Sequence, residues 1–214
     1  AWTSVERLLN TSAQLPELAA LLNEQLAATP ATATAEQAAL LDRRLAVLTK
    51  IKSASSSATP QPGVDPQVQS RAIQGQLLQT LEQLLRVRPD DDALMQTQQA
   101  LLTEQGNLAA AREVAQQRVQ LATRQGADAR TQAERWSSVG KYELELQNFA
   151  GAEAALEQAL ALCPDNMATL QGLVALHQQT NKPAGQVAAL TRVAALEPEL
   201  DQAVATMRQA ASVM

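Results

Sequence analysis

The residues that could carry out chemistry are few in this sequence, and they are far apart. His177 is its only histidine and Cys163 its only cysteine. A metal site or a nucleophilic centre would need convergent partners, and the sequence does not place the two together. The patterns favour packing of His177 between helices and a buried or half-buried structural thiol at Cys163, which directly precedes a proline. One cysteine allows no internal disulfide and leaves the compartment undetermined.

Two polar runs have simple structural interpretations. Ser55 to Ser57 have no base beside them that could activate a hydroxyl, so a linker is favoured over a phosphorylation tract and over catalysis. Asp90 to Asp92 lie at a predicted helix start, where carboxylates cap the helix and complement its dipole. They lack the alternating oxygen ligands and the glycine turn of a calcium loop. We therefore predict a non-enzymatic protein without a metal or another cofactor.

The composition predicts an all-α protein. Apolar residues make up 46% of the chain but aromatic residues only 2%, and most of the apolar residues are Ala and Leu. The net charge of −5 and the scattered positive charges argue against a nucleic-acid partner. No apolar run approaches the ~20 residues that span a bilayer. The chain begins at Ala1 without Met, which we interpret as a processed or truncated form, so no targeting signal is readable and the localisation stays unknown.

The apolar spacing divides the first part of the chain into helices and a linker. Residues 1–52 are predicted to form an N-terminal helical region, either a separate helical element or a degenerate repeat pair. Residues 53–66 are rich in Ser and Pro and show no periodicity, which predicts a flexible linker. One long helix is predicted from Pro66 to Val87.

The most specific pattern lies between Trp136 and Pro164. Gly140 follows the tryptophan by four residues, and Ala152 and Leu156 are spaced for the buried face of a second helix. The stretch resembles a tetratricopeptide repeat (TPR), a helix–turn–helix unit of about 34 residues. In such a unit Gly140 would allow close approach of the second helix.

The same phase returns further along the chain, because Pro164 and Pro198 are 34 residues apart. The resemblance implies a TPR-like α-α superhelix, a right-handed solenoid of antiparallel helix pairs, behind additional N-terminal helices. We assign the TPR-like domain to residues 67–214, with its best repeats at 133–166 and 167–200, a degenerate repeat at 92–123 and a C-terminal capping helix at 199–212.

The resemblance also implies a function. TPR proteins bind extended or helical peptides on the concave face that their first helices line, so we expect a scaffold or adaptor that binds another protein or peptide. Two alternatives stay open: a homo-oligomerising structural module, and a regulatory or targeting region of a larger enzyme or assembly. A basic clamp for peptide carboxylates is not present, because Lys141 is the only basic groove residue. The predicted groove residues are Gln96, Ala100, Thr103, Ser137, Lys141, Leu144, Gln171, Ala175 and Gln178.

Overall fold

The computed structural model describes residues 14–30, 33–57 and 65–213. These residues form ten α-helices and no strand, which confirms the all-α prediction. The expectations for residues 1–13 and for the middle of the linker, 58–64, lie outside the described residues. The helices are α1 (Leu15–Ala28), α2 (Thr34–Ser57), α3 (Pro66–Val87), α4 (Asp92–Glu104), α5 (Leu108–Arg124), α6 (Ala129–Glu145), α7 (Phe149–Leu162), α8 (Met167–Gln179), α9 (Pro183–Leu196) and α10 (Leu200–Val213).

The chain divides into two compact units, and the division falls after Leu101, inside α4. We call them the N-terminal unit and the C-terminal unit. The sequence assigns a TPR-like domain to residues 67–214, and that boundary stays a prediction. In the structure, the buried Leu77, Leu81 and Leu84 of α3 belong to the same hydrophobic core as Leu22 of α1 and lie in the N-terminal unit. A leucine face is stabilised by any apolar surface that covers it.

The part of the N-terminal unit that the structure describes comprises α1, α2, α3 and the larger part of α4. Helix α1 packs on α2, and α2 packs on α3. Helix α2 continues to Ser57, so the first residues of the predicted linker are helical. The hydroxyls of Ser53 and Ser55 donate to carbonyls of the preceding turn at 2.9 and 2.8 Å, and Ile51 packs against the core. The apolar contact of Ile51 stabilises the helix beyond the point where the leucine pattern ends.

The C-terminal unit is a succession of helix pairs centred on one leucine. Within it, α5 packs on α6, α6 on α7, α8 on α9 and α9 on α10. Leu156 of α7 is fully buried. A Cβ added to Gly140 would lie 2.8 Å from its side chain, and one added to Gly172 would lie 2.7 Å away. Both glycines therefore make room for Leu156. The prediction for Gly140 agrees with this contact, and Gly172 supplies the same contact from α8.

The turns between paired helices repeat one geometry. Gly106, Gln147 and Asn181 have positive φ values of 75°, 60° and 53°. The amide of the residue after each of them donates to the carbonyl five residues earlier, at 2.8 to 2.9 Å. In two of the turns that next residue is an asparagine, Asn107 or Asn148, whose side chain caps the following helix. The same turn therefore joins three helix pairs, α4–α5, α6–α7 and α8–α9.

Candidate partner-binding surface

Helices α6 and α8 are the first helices of the two best-matching repeats, and they pack against each other. Buried hydroxyls join them, because Ser137 Oγ lies 2.6 Å from Thr169 Oγ1. Ser137 also donates to the carbonyl of Ala133 at 2.8 Å, and Thr169 Oγ1 lies 3.1 Å from the side-chain oxygen of Asn166. These satisfied hydrogen bonds fix the register of α6 against α8. The exposed side chains of α6 and α8 are therefore carried by two helices whose relative position is fixed.

Four of the predicted groove residues are accessible on these two helices. Lys141 of α6 is exposed, as are Gln171 and Gln178 of α8, and Ala175 is half-buried. We call these four residues the first-helix face. The Lys141 ammonium lies 3.9 Å from the carboxylate of Glu145, so the positive charge has a nearby counter-charge. The face is therefore nearly neutral and rich in amides, which suits hydrogen bonding to a peptide backbone.

Two predicted groove residues point inward. Ser137 is 6% exposed and is engaged in the hydroxyl contact between the helices. Leu144 is also 6% exposed and belongs to a core cluster with Leu156 and Leu176. A buried side chain that contacts its own chain offers no surface to a ligand, so both residues are left out of the first-helix face.

The remaining three predicted groove residues lie on α4. Gln96 and Ala100 are exposed in the N-terminal unit. Thr103 belongs to the C-terminal unit, where its hydroxyl lies 2.8 Å from the phenolic oxygen of Tyr142. That contact gives Thr103 a structural role in packing α6.

Glu143 is a buried carboxylate in a position where TPR sequences usually have Tyr. Its Oε2 accepts a hydrogen bond from Asn148 Nδ2 at 2.8 Å, and its Oε1 lies 3.6 Å from Arg112 Nη1. The neighbouring Tyr142 is buried beside it. The charge is therefore compensated inside the C-terminal unit, and Glu143 stabilises the turn and the α5–α6 contact. The sequence signal for this arrangement is weak: an asparagine five residues later and an arginine on the preceding helix.

The two potentially reactive side chains, His177 and Cys163, are not among the residues of the first-helix face. The His177 ring lies within 2.8 to 2.9 Å of the point where a Cβ on Gly185 would be, so it packs closely on α9. Cys163 is half-buried and ends α7. Within residues 14–30, 33–57 and 65–213, no three His, Cys, Asp or Glu side chains are grouped so that they could hold a metal ion. None of the described helices combines the length and apolar character that crossing a membrane requires.

Comparison with solved structures identifies the class of fold. A crystal structure of MamA protein matches with a TM-score of 0.53 at 12% identity, covering 79% of this chain and 81% of that one. A second MamA structure matches at 0.52 and 14% identity, covering 72% and 85%. In the APC/C hetero-tetramer Cut9–Hcn1, a chain matches at 0.54 and 13% identity; the alignment covers 83% of this chain but only 33% of that one. These are TPR-type structures, so the predicted TPR-like fold is confirmed. No family model and no curated protein matches the sequence.

Proposed function

We propose that the C-terminal unit is a non-catalytic docking module that binds a partner protein or peptide on the first-helix face. The observation that carries the proposal is that exposed polar side chains lie on two helices whose register is fixed. The buried Ser137–Thr169 contact holds α6 against α8, and Lys141, Gln171 and Gln178 are exposed on these helices. A surface that is already ordered loses little entropy on binding, so the ordering cost falls on the partner.

The fold supports a scaffold or adaptor function in general. TPR-like neighbours indicate protein interaction as the broad role, and one of them is described as part of a hetero-tetramer. The neutral, amide-rich face favours an extended peptide that offers backbone amides and carbonyls over a partner selected by charge. Glutamine side chains both donate and accept hydrogen bonds, so Gln171 and Gln178 can pair with either backbone group.

Affinity capture with matched variants tests this proposal. Lys141→Glu and Gln171→Ala alter the first-helix face, and Lys182→Glu and Gln158→Ala make the same chemical changes at exposed positions outside it. We expect a partner captured by the wild-type chain to be recovered at several-fold lower yield with the first pair, and at unchanged yield with the second. Equal recovery with all four variants would reject the first-helix face as the docking surface.

Self-association is a second candidate, and the last helix favours it. Val204 and Met207 of α10 are 41% and 46% exposed, and they are three residues apart on one side of the helix. We propose that this apolar pair mediates a homo-oligomer in which α10 contacts a second copy. Light scattering at two concentrations tests this: a mass that rises with concentration and returns to the monomer value in Met207→Lys supports it, and a monomer at both concentrations contradicts it.

A further inference from the structure

In the N-terminal unit lies a buried arginine, two of whose guanidinium nitrogens have no hydrogen-bond partner among the described residues. Arg44 of α2 is only 6% exposed, and its Nε and Nη1 atoms are buried without a hydrogen-bond partner. Its neighbour Arg43 is exposed, as a helical arginine usually is. Burial lowers the pKa of the Arg44 guanidinium, but arginine stays protonated at neutral pH. An uncompensated charge inside a protein is destabilising, so a bound anion beside Arg44 would stabilise the folded state.

Arg44 forms part of the wall of a cavity of about 340 Å³ between α1, α2 and α3. This volume is at the small end of the range for ligand pockets. The accessible lining is about half apolar, with Ala19, Leu48 and Ile73 among its apolar residues, and about half polar, with Asn23 and Gln76 among its polar residues. Among the described residues that line the cavity, none is acidic. The cavity therefore combines one positive charge with a lining that is part apolar and part uncharged polar.

We propose that this cavity binds a small organic monoanion, a carboxylate attached to a short apolar body. The carboxylate would accept paired hydrogen bonds from the guanidinium, and the apolar body would lie against the side chains of Ala19, Leu48 and Ile73. A single guanidinium balances a single negative charge. A phosphate dianion would keep one negative charge without a counter-charge in the cavity, which is unfavourable. This site is in a different unit from the first-helix face and is independent of the docking function.

Thermal unfolding of the full chain with hexanoate as the probe tests the site. Hexan-1-ol at the same concentration keeps the apolar body without the charge, and inorganic phosphate supplies charge without the apolar body. At hexanoate concentrations about tenfold above Kd, we expect the Tm of the wild-type chain to rise by at least about 3 °C. Neither hexan-1-ol nor phosphate should raise it. A rise with phosphate equal to that with hexanoate would contradict the proposed ligand class, and no response to hexanoate would overturn the site.

Two variants assign the effect to the guanidinium. Arg44→Met removes the charge and keeps an unbranched side chain, and Arg43→Met makes the same change at the adjacent exposed position. We expect the hexanoate response to disappear in Arg44→Met and to persist in Arg43→Met. An equal response in both variants would overturn the proposal.

A measurement on the wild-type chain keeps the test valid if Arg44→Met does not fold. Amide chemical shifts recorded during a hexanoate titration should change first around Ala19, Arg44 and Ile73, the residues that surround the cavity. Changes spread over the surface, or confined to the C-terminal unit, would overturn the site.

Discussion

The two units use the same helix-rich composition in different ways. In the N-terminal unit, α2 and α3 are 24 and 22 residues long and share a core made largely of leucines. In the C-terminal unit, α5 to α9 are 13 to 17 residues long and are separated by turns of recurring geometry. Close packing around Leu156 there depends on two glycines. The first unit is held mainly by a shared leucine core, and the second also depends on glycines at a close contact and on turns of recurring geometry.

The largest effect should come from removing the central leucine of the C-terminal unit. Leu156 is fully buried, so Leu156→Ala should lower the free energy of unfolding by about 3–5 kcal/mol through lost burial and the cavity left behind. Urea denaturation followed by circular dichroism measures the change. The control is Leu146→Ala in the same unit, where the side chain is 36% exposed and the cost should be below about 1 kcal/mol.

Glycine-to-alanine changes should have opposite signs in the two units. An added methyl at Gly140 would collide with Leu156, so Gly140→Ala should cost about 1–3 kcal/mol of stability. A methyl at Gly75 of α3 meets nothing within 4 Å, so Gly75→Ala should stabilise the chain by about 0.5–1 kcal/mol. The penalty at Gly140 should shrink in a Leu156→Ala background. If urea denaturation showed stability changes of the same sign for Gly140→Ala and Gly75→Ala, the proposed difference in packing at these two glycines would be wrong.

Two fully buried threonines, one in each unit, allow a further comparison of the units. Thr169 lies 2.6 Å from Ser137 of another helix, whereas Thr80 of α3 donates to the carbonyl of Gln76 in its own helix at 2.7 Å. Thr169→Val should cost about 1–2 kcal/mol, because Ser137 loses a partner in a buried site. Thr80→Val should cost less than about 0.5 kcal/mol, because the Gln76 carbonyl is already used within the helix. Thermal unfolding of both variants gives the comparison, and similar costs would contradict it.

The smallest effect should be a pH dependence at the start of α6. The carboxylate of Asp128 accepts from the backbone amide of Thr131 at 2.8 Å, and this hydrogen bond lowers the pKa of Asp128. A lower pKa in the folded state means that the stabilisation is present above the unfolded-state pKa, near pH 4, and is lost as the pH falls through the folded-state value. Asp128→Asn keeps the capping oxygen but does not titrate. Its Tm should therefore fall less than that of the wild-type chain between pH 5 and pH 2, and parallel profiles would exclude the effect.

The sequence predicts the C-terminal unit well because its determinants are local. Gly140, Asn148 and Leu156 lie within one helix–turn–helix unit, so each can be interpreted within about thirty residues. The grouping of α3 with the N-terminal helices could not be predicted in this way. Its leucine face fits any apolar surface, and only the folded chain shows that it shares a core with Leu22.

The candidate sites, too, could be predicted from the sequence only in part. Helix spacing puts Ser137, Lys141 and Leu144 along one side of α6, and it does not show which of them are accessible. The burial of Leu144 depends on a core cluster that includes Leu176, two helices later. Arg44 gives no sequence signal at all, because an arginine next to Arg43 is expected to face water. Its burial results from the packing of three helices around it.

Site-specific photo-crosslinking in an extract of the native source tests the docking proposal most directly. A benzoylphenylalanine replaces Gln171 on the first-helix face or, as the control, Gln158 on the second helix α7. The account predicts a discrete crosslinked product at position 171 and none at 158, with a partner whose mass differs from that of this chain. A product of twice the chain mass would identify self-association instead. Equal crosslinking at both positions, or none at 171, would contradict the proposed docking surface.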